Sequence, residues 1–207
     1  MRTKGFTLIE LLIVVAIIAI LAAIAIPNFL QAQVRAKVSR AQADMRTIAT
    51  ALESYYVDHN SYPPCGYGGI PPVGHHWLNY TITTPIAYLT TSNLEDPFFA
   101  GVEDWDFDNN PHWRNFRYVN YYTTYVDILG NEGAYGRYGR IYGQWALFSR
   151  GPVSQFSFQI YTLQHESGDD LWLSAQPYDP TNGTVSAGDI VRTQLGPEPN
   201  YGSVNFQ

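Results

Sequence analysis

The sequence predicts an α+β fold: a long N-terminal helix whose outer half packs on a small antiparallel sheet. An apolar run at residues 6–26 leads directly into an amphipathic segment with helical periodicity, which indicates one extended helix. The remainder of the 207-residue chain is rich in tyrosine (16), glycine (17) and proline (13), a composition typical of short strands and long loops. Such a length suits one domain of ordinary size with an appendage.

Composition excludes several classes of protein. The net charge is −6 and charged residues make up only 14% of the chain, with no basic stripe, so we expect no nucleic-acid partner. Cys65 is the single cysteine, so an internal disulfide is impossible. An exported body without disulfides must be stabilised by its core, by a metal ion or by its neighbours.

The apolar run at residues 6–26 is long enough to cross a membrane. Its 21 residues would span about 31 Å as a helix, close to the ~30 Å hydrocarbon core of a bilayer. Three interpretations compete: a cleaved signal peptide with a small-x-small site at residues 23–25, a plain single-pass anchor, and a precursor cut after Gly5. Glu10 favours the third, because an ionisable group inside an apolar span is costly and usually functional.

Residues 4–10, which read KGFTLIE, resemble the leader-peptide signature of type IV pilins and type II secretion pseudopilins. The resemblance implies that prepilin peptidase cuts between Gly5 and Phe6 and N-methylates Phe6. It also places Glu10 at the fifth mature position and Pro27 where many members carry a helix-kinking proline. The implied organisation is a leader at residues 1–5, a helix at 6–59 and a periplasmic or extracellular β-rich domain at 60–207.

Glu10 has a specific expected role in assembly. Cleavage leaves a positive α-amine on Phe6, and a buried carboxylate needs such a partner, so Glu10 of one subunit would pair with Phe6 of its neighbour. The alternative is that Glu10 merely extends to the membrane interface.

The orientation follows from the resemblance and not from charge. Counting basic residues would place the C-terminal side in the cytoplasm. The leader carries Arg2 and Lys4, whereas the other flank carries Arg35, Lys37, Arg40 and Arg46. The resemblance instead implies an inner-membrane protein with its N-terminus in the cytoplasm and its body in the periplasm, and later a periplasmic or extracellular filament.

The second half of the helix is amphipathic. Apolar residues recur at steps of three and four, which predicts one stripe packing on a sheet of the same chain, with a coiled-coil partner as the alternative. The stripe comprises Val34, Val38, Ala41, Met45, Ile48, Leu52 and Tyr55. We expect Pro27 to bend the helix or melt it locally, and residues 58–64 to end it.

The body is predicted to contain several strands. The strongest candidate is 116–126, followed by 141–149, 156–163 and a short strand at 185–192. Gly151 and Pro152 predict a turn, and residues 62–74 and 130–143 predict loops.

Short motifs in the body resemble those of major pseudopilins. They are NSYP at 60–63, LEDPF at 94–98, WALFSRGP at 145–152 and GDI at 188–190. Arg150 and Val153 depart from the family's pattern, the latter replacing an expected aspartate.

The resemblance also implies one structural calcium ion in the loop before residue 190. The predicted ligands are Ser149, Asp179, Asn182 and Asp189, because calcium prefers oxygen ligands around a glycine turn. The alternative is an Asx-type turn without a metal.

No enzyme motif is apparent. His75 and His76 lack a spaced third zinc ligand, and Cys65 lacks a catalytic partner. We therefore expect a structural subunit of a type II secretion pseudopilus, with a surface pilin and a membrane-anchored binding module as alternatives. The expected partners are further copies, other pseudopilins, prepilin peptidase, an assembly-platform membrane protein and, before assembly, the lipid bilayer.

Overall fold

The computed structural model consists of one long helix and a small antiparallel sheet, as the sequence predicts. The described residues are 6–64, 82–91, 94–99, 114–123, 136, 139–140, 142–152, 178–179, 181, 186 and 188–196. Within them, the elements are α1 (Leu8–His59), β1 (Arg117–Asn120), β2 (Trp145–Ser149) and β3 (Ile190–Thr193).

Helix α1 contains 52 residues and is about 78 Å long. It is continuous through Pro27, so the local melting expected there does not occur, although the proline leaves one backbone carbonyl without its helical donor. Asn60 ends the helix by adopting a left-handed conformation (φ 52°, ψ 25°), and its N–H donates to the Tyr56 carbonyl at 2.8 Å.

The sheet has the order β1-β2-β3, and both pairings are antiparallel. Leu147 at the centre of β2 lies opposite Tyr118 on one side and Arg192 on the other. All five residues of β2 are buried. A central strand buried on both faces needs a cover on each, and α1 supplies one of them.

The apolar stripe of α1 packs on this sheet, which confirms the prediction and removes the need for a coiled-coil partner. Five stripe residues are buried, and the two at its ends are partly buried against the same core. Those buried are Val38, Ala41, Met45, Ile48 and Leu52, and those at the ends are Val34 and Tyr55. Each large aliphatic side chain buried in this way contributes about 1.5–3 kcal/mol.

The strand predicted at 116–126 is shorter in the structure, where β1 ends at Asn120. The Asn120 side chain explains the difference. Its Nδ2 donates to the carbonyl oxygens of Tyr62 and Pro63 at 3.3 and 3.1 Å, and its Oδ1 accepts from the Thr123 N–H at 3.1 Å. The chain therefore turns into a helical conformation at Tyr121.

The other strand predictions also shift at their ends. The predicted strand at 141–149 begins only at Trp145, because Gly143 has φ +79°, a conformation that interrupts a strand. The predicted strand at 185–192 is found as β3, Ile190–Thr193. The predicted strand at 156–163 lies outside the described residues, as do most of the loops predicted at 62–74 and 130–143.

Polar side chains connect the end of α1 to the sheet. The Glu53 carboxylate accepts from the Tyr62 hydroxyl at 2.9 Å and from Trp145 Nε1 at 3.1 Å. Gln194 Nε2, just after β3, donates to the same tyrosine hydroxyl at 2.8 Å. We call Glu53, Tyr62, Trp145 and Gln194 the helix–sheet latch.

Candidate assembly site

The first half of α1 presents an apolar surface that the rest of the described body does not cover. From Phe6 to Leu30 every large aliphatic or aromatic side chain is exposed. The helix is long and apolar enough to cross a membrane. An exposed apolar surface of this size needs lipid or other protein chains to cover it. We call residues 6–30 the stem.

The stem begins with a capping box formed by Thr7 and Glu10. Thr7 is the N-cap residue, and its hydroxyl accepts from the Glu10 N–H at 3.4 Å. In return, Glu10 Oε2 accepts from the Thr7 N–H at 2.9 Å and from the Thr7 hydroxyl at 2.6 Å. These bonds satisfy donors that a helix N-terminus otherwise leaves unpaired.

The capping box has a chemical consequence for the predicted site. It fixes the Glu10 carboxylate at the start of the helix, three residues from Thr7 and close in sequence to Phe6, which is 73% exposed. The pairing predicted for Glu10 involves a second copy of the chain and stays a prediction. Gly5, which precedes the predicted cleavage site, lies outside the described residues. Sequence reasoning missed the capping role, although the Thr-x-x-Glu spacing at positions 7–10 indicates it.

A buried carboxylate joins two segments of the body that are distant in sequence. Asp96 is buried, and its Oδ1 accepts from the Ser149 hydroxyl at 2.8 Å and from the Phe98 N–H at 3.0 Å. Its Oδ2 accepts from the Arg150 N–H at 2.8 Å. The Arg150 guanidinium in turn lies 4.8 Å from the ring centroid of Phe99. We call this cluster the Asp96 junction.

Burial dominates the electrostatics of the Asp96 junction. It raises the pKa of Asp96, while the backbone donors of Phe98 and Arg150, the Ser149 hydroxyl and the Arg150 charge act in the opposite direction. The junction connects the segments 94–98 and 145–152, both of which resemble pseudopilin motifs. Sequence reasoning found the two segments but not the contact between them.

Known proteins resemble the N-terminal part of this chain. Residues 1–26 match the family described as the prokaryotic N-terminal methylation motif. The type IV major pilin protein PilA of Myxococcus xanthus is 54% identical over 61 residues, which are 30% of this chain and 28% of that protein. The chain carries the N-terminal segment of the type IV pilin superfamily.

Other relatives match a similar share of the chain. The type IV wide pilus major component PilA4 of Thermus thermophilus is 56% identical over 61 residues, or 30% of this chain and 47% of that protein. The type II secretion system core protein G of Pseudomonas aeruginosa is 44% identical over 67 residues, or 32% and 47%. The chain thus spans less than half the length of these relatives. No solved structure matches it.

The predicted calcium ligands of this pilin-type chain are only partly brought together. The backbone N–H of Tyr178 donates to the Asp189 carbonyl at 2.8 Å, which places Asp179 beside the start of β3. The Ser149 hydroxyl donates to Asp96, which leaves the lone pairs of its oxygen able to bind a cation, so the predicted role of Ser149 stays a prediction. Asn182 lies outside the described residues, among which no cluster of three or more His, Cys, Asp or Glu residues forms a metal site.

Asp179 makes the turn that was the alternative to a metal ligand. Its Oδ1 accepts from the Thr181 N–H at 2.8 Å and from the Thr181 hydroxyl at 2.6 Å. Asp189 is fully buried. A calcium site formed by Ser149, Asp179, Asn182 and Asp189 stays a prediction.

Proposed function

We propose that this chain is a structural subunit of a type II secretion pseudopilus, polymerised into a helical filament for protein export. The observation that carries the proposal is the exposed apolar stem, which begins at a capped Glu10 and continues without a break into a helix packed on the body. A stem of this kind suits two environments in turn, a bilayer and the apolar core of a filament.

The proposed sequence of events begins in the inner membrane, with the N-terminus in the cytoplasm and the body in the periplasm. Prepilin peptidase cuts between Gly5 and Phe6 and methylates the new terminus. An assembly-platform protein then transfers subunits to the growing filament, alongside other pseudopilins. The Glu10 carboxylate pairs with the Phe6 amine of a neighbouring copy, and this charge pairing selects one axial register. The subunit itself catalyses no reaction.

A surface pilin for adhesion, motility or DNA uptake is the second candidate. The relatives named as major pilins favour it, but they match only about 30% of the chain, and secretion protein G matches a similar share. The body favours the pseudopilus, because the two segments that meet at Asp96 are the ones that resemble major pseudopilins.

The intact mass of the chain purified from membranes tests the processing step. We expect the loss of residues 1–5 and the addition of one methyl group to Phe6. An uncut chain, or one cut near residue 25, would contradict the proposal and leave a membrane-anchored binding module or an exported domain.

Electron microscopy of sheared cells separates the two kinds of filament. A pseudopilus subunit at its natural level leaves no long surface filaments, and its deletion blocks protein export. Long sheared filaments that react with an antibody to the body would favour the surface pilin instead.

A further inference from the structure

Three basic side chains lie on α1 just beyond the stem. Arg35, Lys37 and Arg40 are all exposed. At about 100° per residue, Lys37 and Arg40 lie about 200° and 140° around the helix from Arg35, while the three span only about 7.5 Å along its axis. They occupy the side of the helix that the body does not cover at this level, because Val34, Val38 and Ala41 of the packed stripe fill the remaining 160° between Lys37 and Arg35. We call these three residues the basic collar.

The collar lies just outside the membrane-crossing segment, with Arg35 nearest to the bilayer surface and Arg40 furthest from it. Arg35 is about 7.5 Å and Arg40 about 15 Å beyond Leu30, the last large apolar residue of the stem. Polar headgroups extend roughly 5–8 Å beyond the hydrocarbon core on each side. Helical side chains also point towards the N-terminus, here towards the membrane, and long basic side chains can reach back by several ångströms.

The contacts of the collar leave its charges accessible. Lys37 Nζ lies 5.9 Å from the ring centroid of Phe98, on the body. Arg40 Nε lies 3.6 Å from the Asp44 carboxylate, but its side chain is 71% exposed. Both are weak surface interactions, which are worth less than about 1 kcal/mol and do not exclude a stronger anionic partner.

The edge of the body next to the collar adds one further cation. The Arg114 guanidinium is exposed and lies 6.0 Å from the ring of Phe99, the neighbour of the Phe98 that Lys37 contacts. Glu95 is an exposed acidic residue in the same region. By contrast, residues 60–207 as a whole carry 14 acidic and six basic side chains, a net charge of −8. Attraction to an anionic surface is therefore concentrated at the collar.

We propose that the basic collar binds anionic phospholipid headgroups on the body side of the membrane before assembly. The proposal rests on the proposed function in one respect, that the stem crosses a bilayer. Headgroups can contact the whole side of the helix that the body leaves open, and so all three collar residues, which spread over about 200° of the helix, more than one flat protein surface would contact. Juxtamembrane basic residues are attracted to anionic lipid in this way, more weakly as salt increases.

The test measures which lipids contact the full chain in bilayers of phosphatidylcholine, using spin-labelled phosphatidylglycerol and spin-labelled phosphatidylcholine as probes. We expect a preference of about three- to five-fold for the anionic probe at low salt, falling towards one at high salt. The triple variant R35Q/K37Q/R40Q should lose the preference.

Arg46 provides the matched control. It is exposed and lies about 20° around the helix from Arg35, but about 17 Å further from the stem. Arg46→Gln should keep the preference, because its charge lies well outside the headgroup layer. Near-UV circular dichroism checks that every variant retains the packed body.

The other results overturn the proposal in distinguishable ways. Unchanged preference in the triple variant rejects the collar as the lipid site. Chemical cross-linking of copies in the same bilayers is measured alongside. If the triple variant keeps the lipid preference but loses cross-linking between copies, the collar contacts a second copy instead. If no lipid is immobilised in any variant, the chain does not enter the bilayer, and membrane anchoring itself is rejected.

Discussion

Asp96 shows how a single buried carboxylate can organise a loop-rich body. It accepts hydrogen bonds from the Ser149 hydroxyl and from the backbone N–H groups of Phe98 and Arg150. Bonds to a charged acceptor are among the stronger ones in proteins, and any buried donor left without an acceptor would cost about 1–3 kcal/mol. The side chain therefore ties the 94–98 segment to the end of β2 while remaining costly to ionise.

The first prediction concerns the pH dependence of stability. Because burial raises the pKa of Asp96, the folded chain retains its proton at pH values where the unfolded chain, with an ordinary value near 3.8, has lost it. This contribution to stability is complete below pH 3.8 and is lost as pH rises through the folded-state pKa. Relative to Asp96→Asn, the wild type should therefore become more stable as pH falls towards 4.

Urea unfolding of both proteins at several pH values, followed by near-UV circular dichroism, measures this difference. The Asn variant has no titrating group at the site, so other carboxyl groups cancel in the comparison. A difference that is constant with pH, or that changes in the opposite direction, would show that burial does not control Asp96.

At the scale of elements, the turn between β2 and the following segment fixes how the sheet meets the loop before β3. Gly151 has φ +65°, and a Cβ atom there would collide with the backbone carbonyl of Gly188. Only glycine combines that conformation with such a close approach of two backbones. The turn predicted from Gly151 and Pro152 is confirmed, but its contact with Gly188 is a tertiary feature that sequence does not reveal.

We therefore expect Gly151→Ala to destabilise the body by about 2 kcal/mol or more, since it adds left-handed strain and a steric clash. Gly196→Ala is the matched control, because a Cβ atom there meets nothing within 4 Å and its φ is not in the left-handed region. Chemical denaturation of the two variants measures the contrast. Equal stability of both would mean that the turn can shift without cost.

Calcium binding remains a prediction at the same scale. If Ser149, Asp179, Asn182 and Asp189 bind the ion, added calcium should raise the unfolding midpoint by several degrees, because a ligand that binds only the folded state stabilises it. Chelation should reverse the effect, and Asp179→Ala should abolish it. Ser149→Ala should weaken the calcium response, because the Ser149 hydroxyl oxygen is one of the predicted ligands. Melting that is independent of calcium would leave the Asx turn at Asp179 as the whole role of that residue.

At the scale of the whole molecule, the parts predicted well are those set by local pattern. The stem and the stripe follow from hydrophobicity and a period of 3.6 residues, and both are found along α1. The parts predicted poorly depend on distant partners: β1 ends where Asn120 binds Tyr62 and Pro63, more than 50 residues away. Asp96 and Ser149 are likewise 53 residues apart, and no local signal indicates their contact.

Assembly provides the prediction that involves the entire chain. Glu10→Ala should leave cleavage after Gly5 intact but make filaments rare, because the Phe6 amine of a neighbouring copy would then lack its charged partner. Immunoblotting for the mature chain and microscopy of filaments separate the two steps.

Thr7→Val is the control for the capping role of Glu10. It removes the hydroxyl that donates to Glu10 Oε2 at 2.6 Å. It keeps the Glu10 carboxylate and the backbone N–H of position 7 that donates to it. We expect this variant to assemble better than Glu10→Ala. If the two variants fail equally, the contribution of Glu10 is to the start of its own helix and not to a second copy.

The helix–sheet latch has a mechanical consequence. Glu53 joins α1 to Tyr62 and Trp145 through hydrogen bonds, beside an apolar contact extending from Val38 to Leu52. A pulling force along the stem would therefore load all of these contacts in shear at the same time. Contacts loaded in shear must break together, whereas those peeled from one end break in succession. The body should consequently resist tension along α1 far better than a sideways pull at His59.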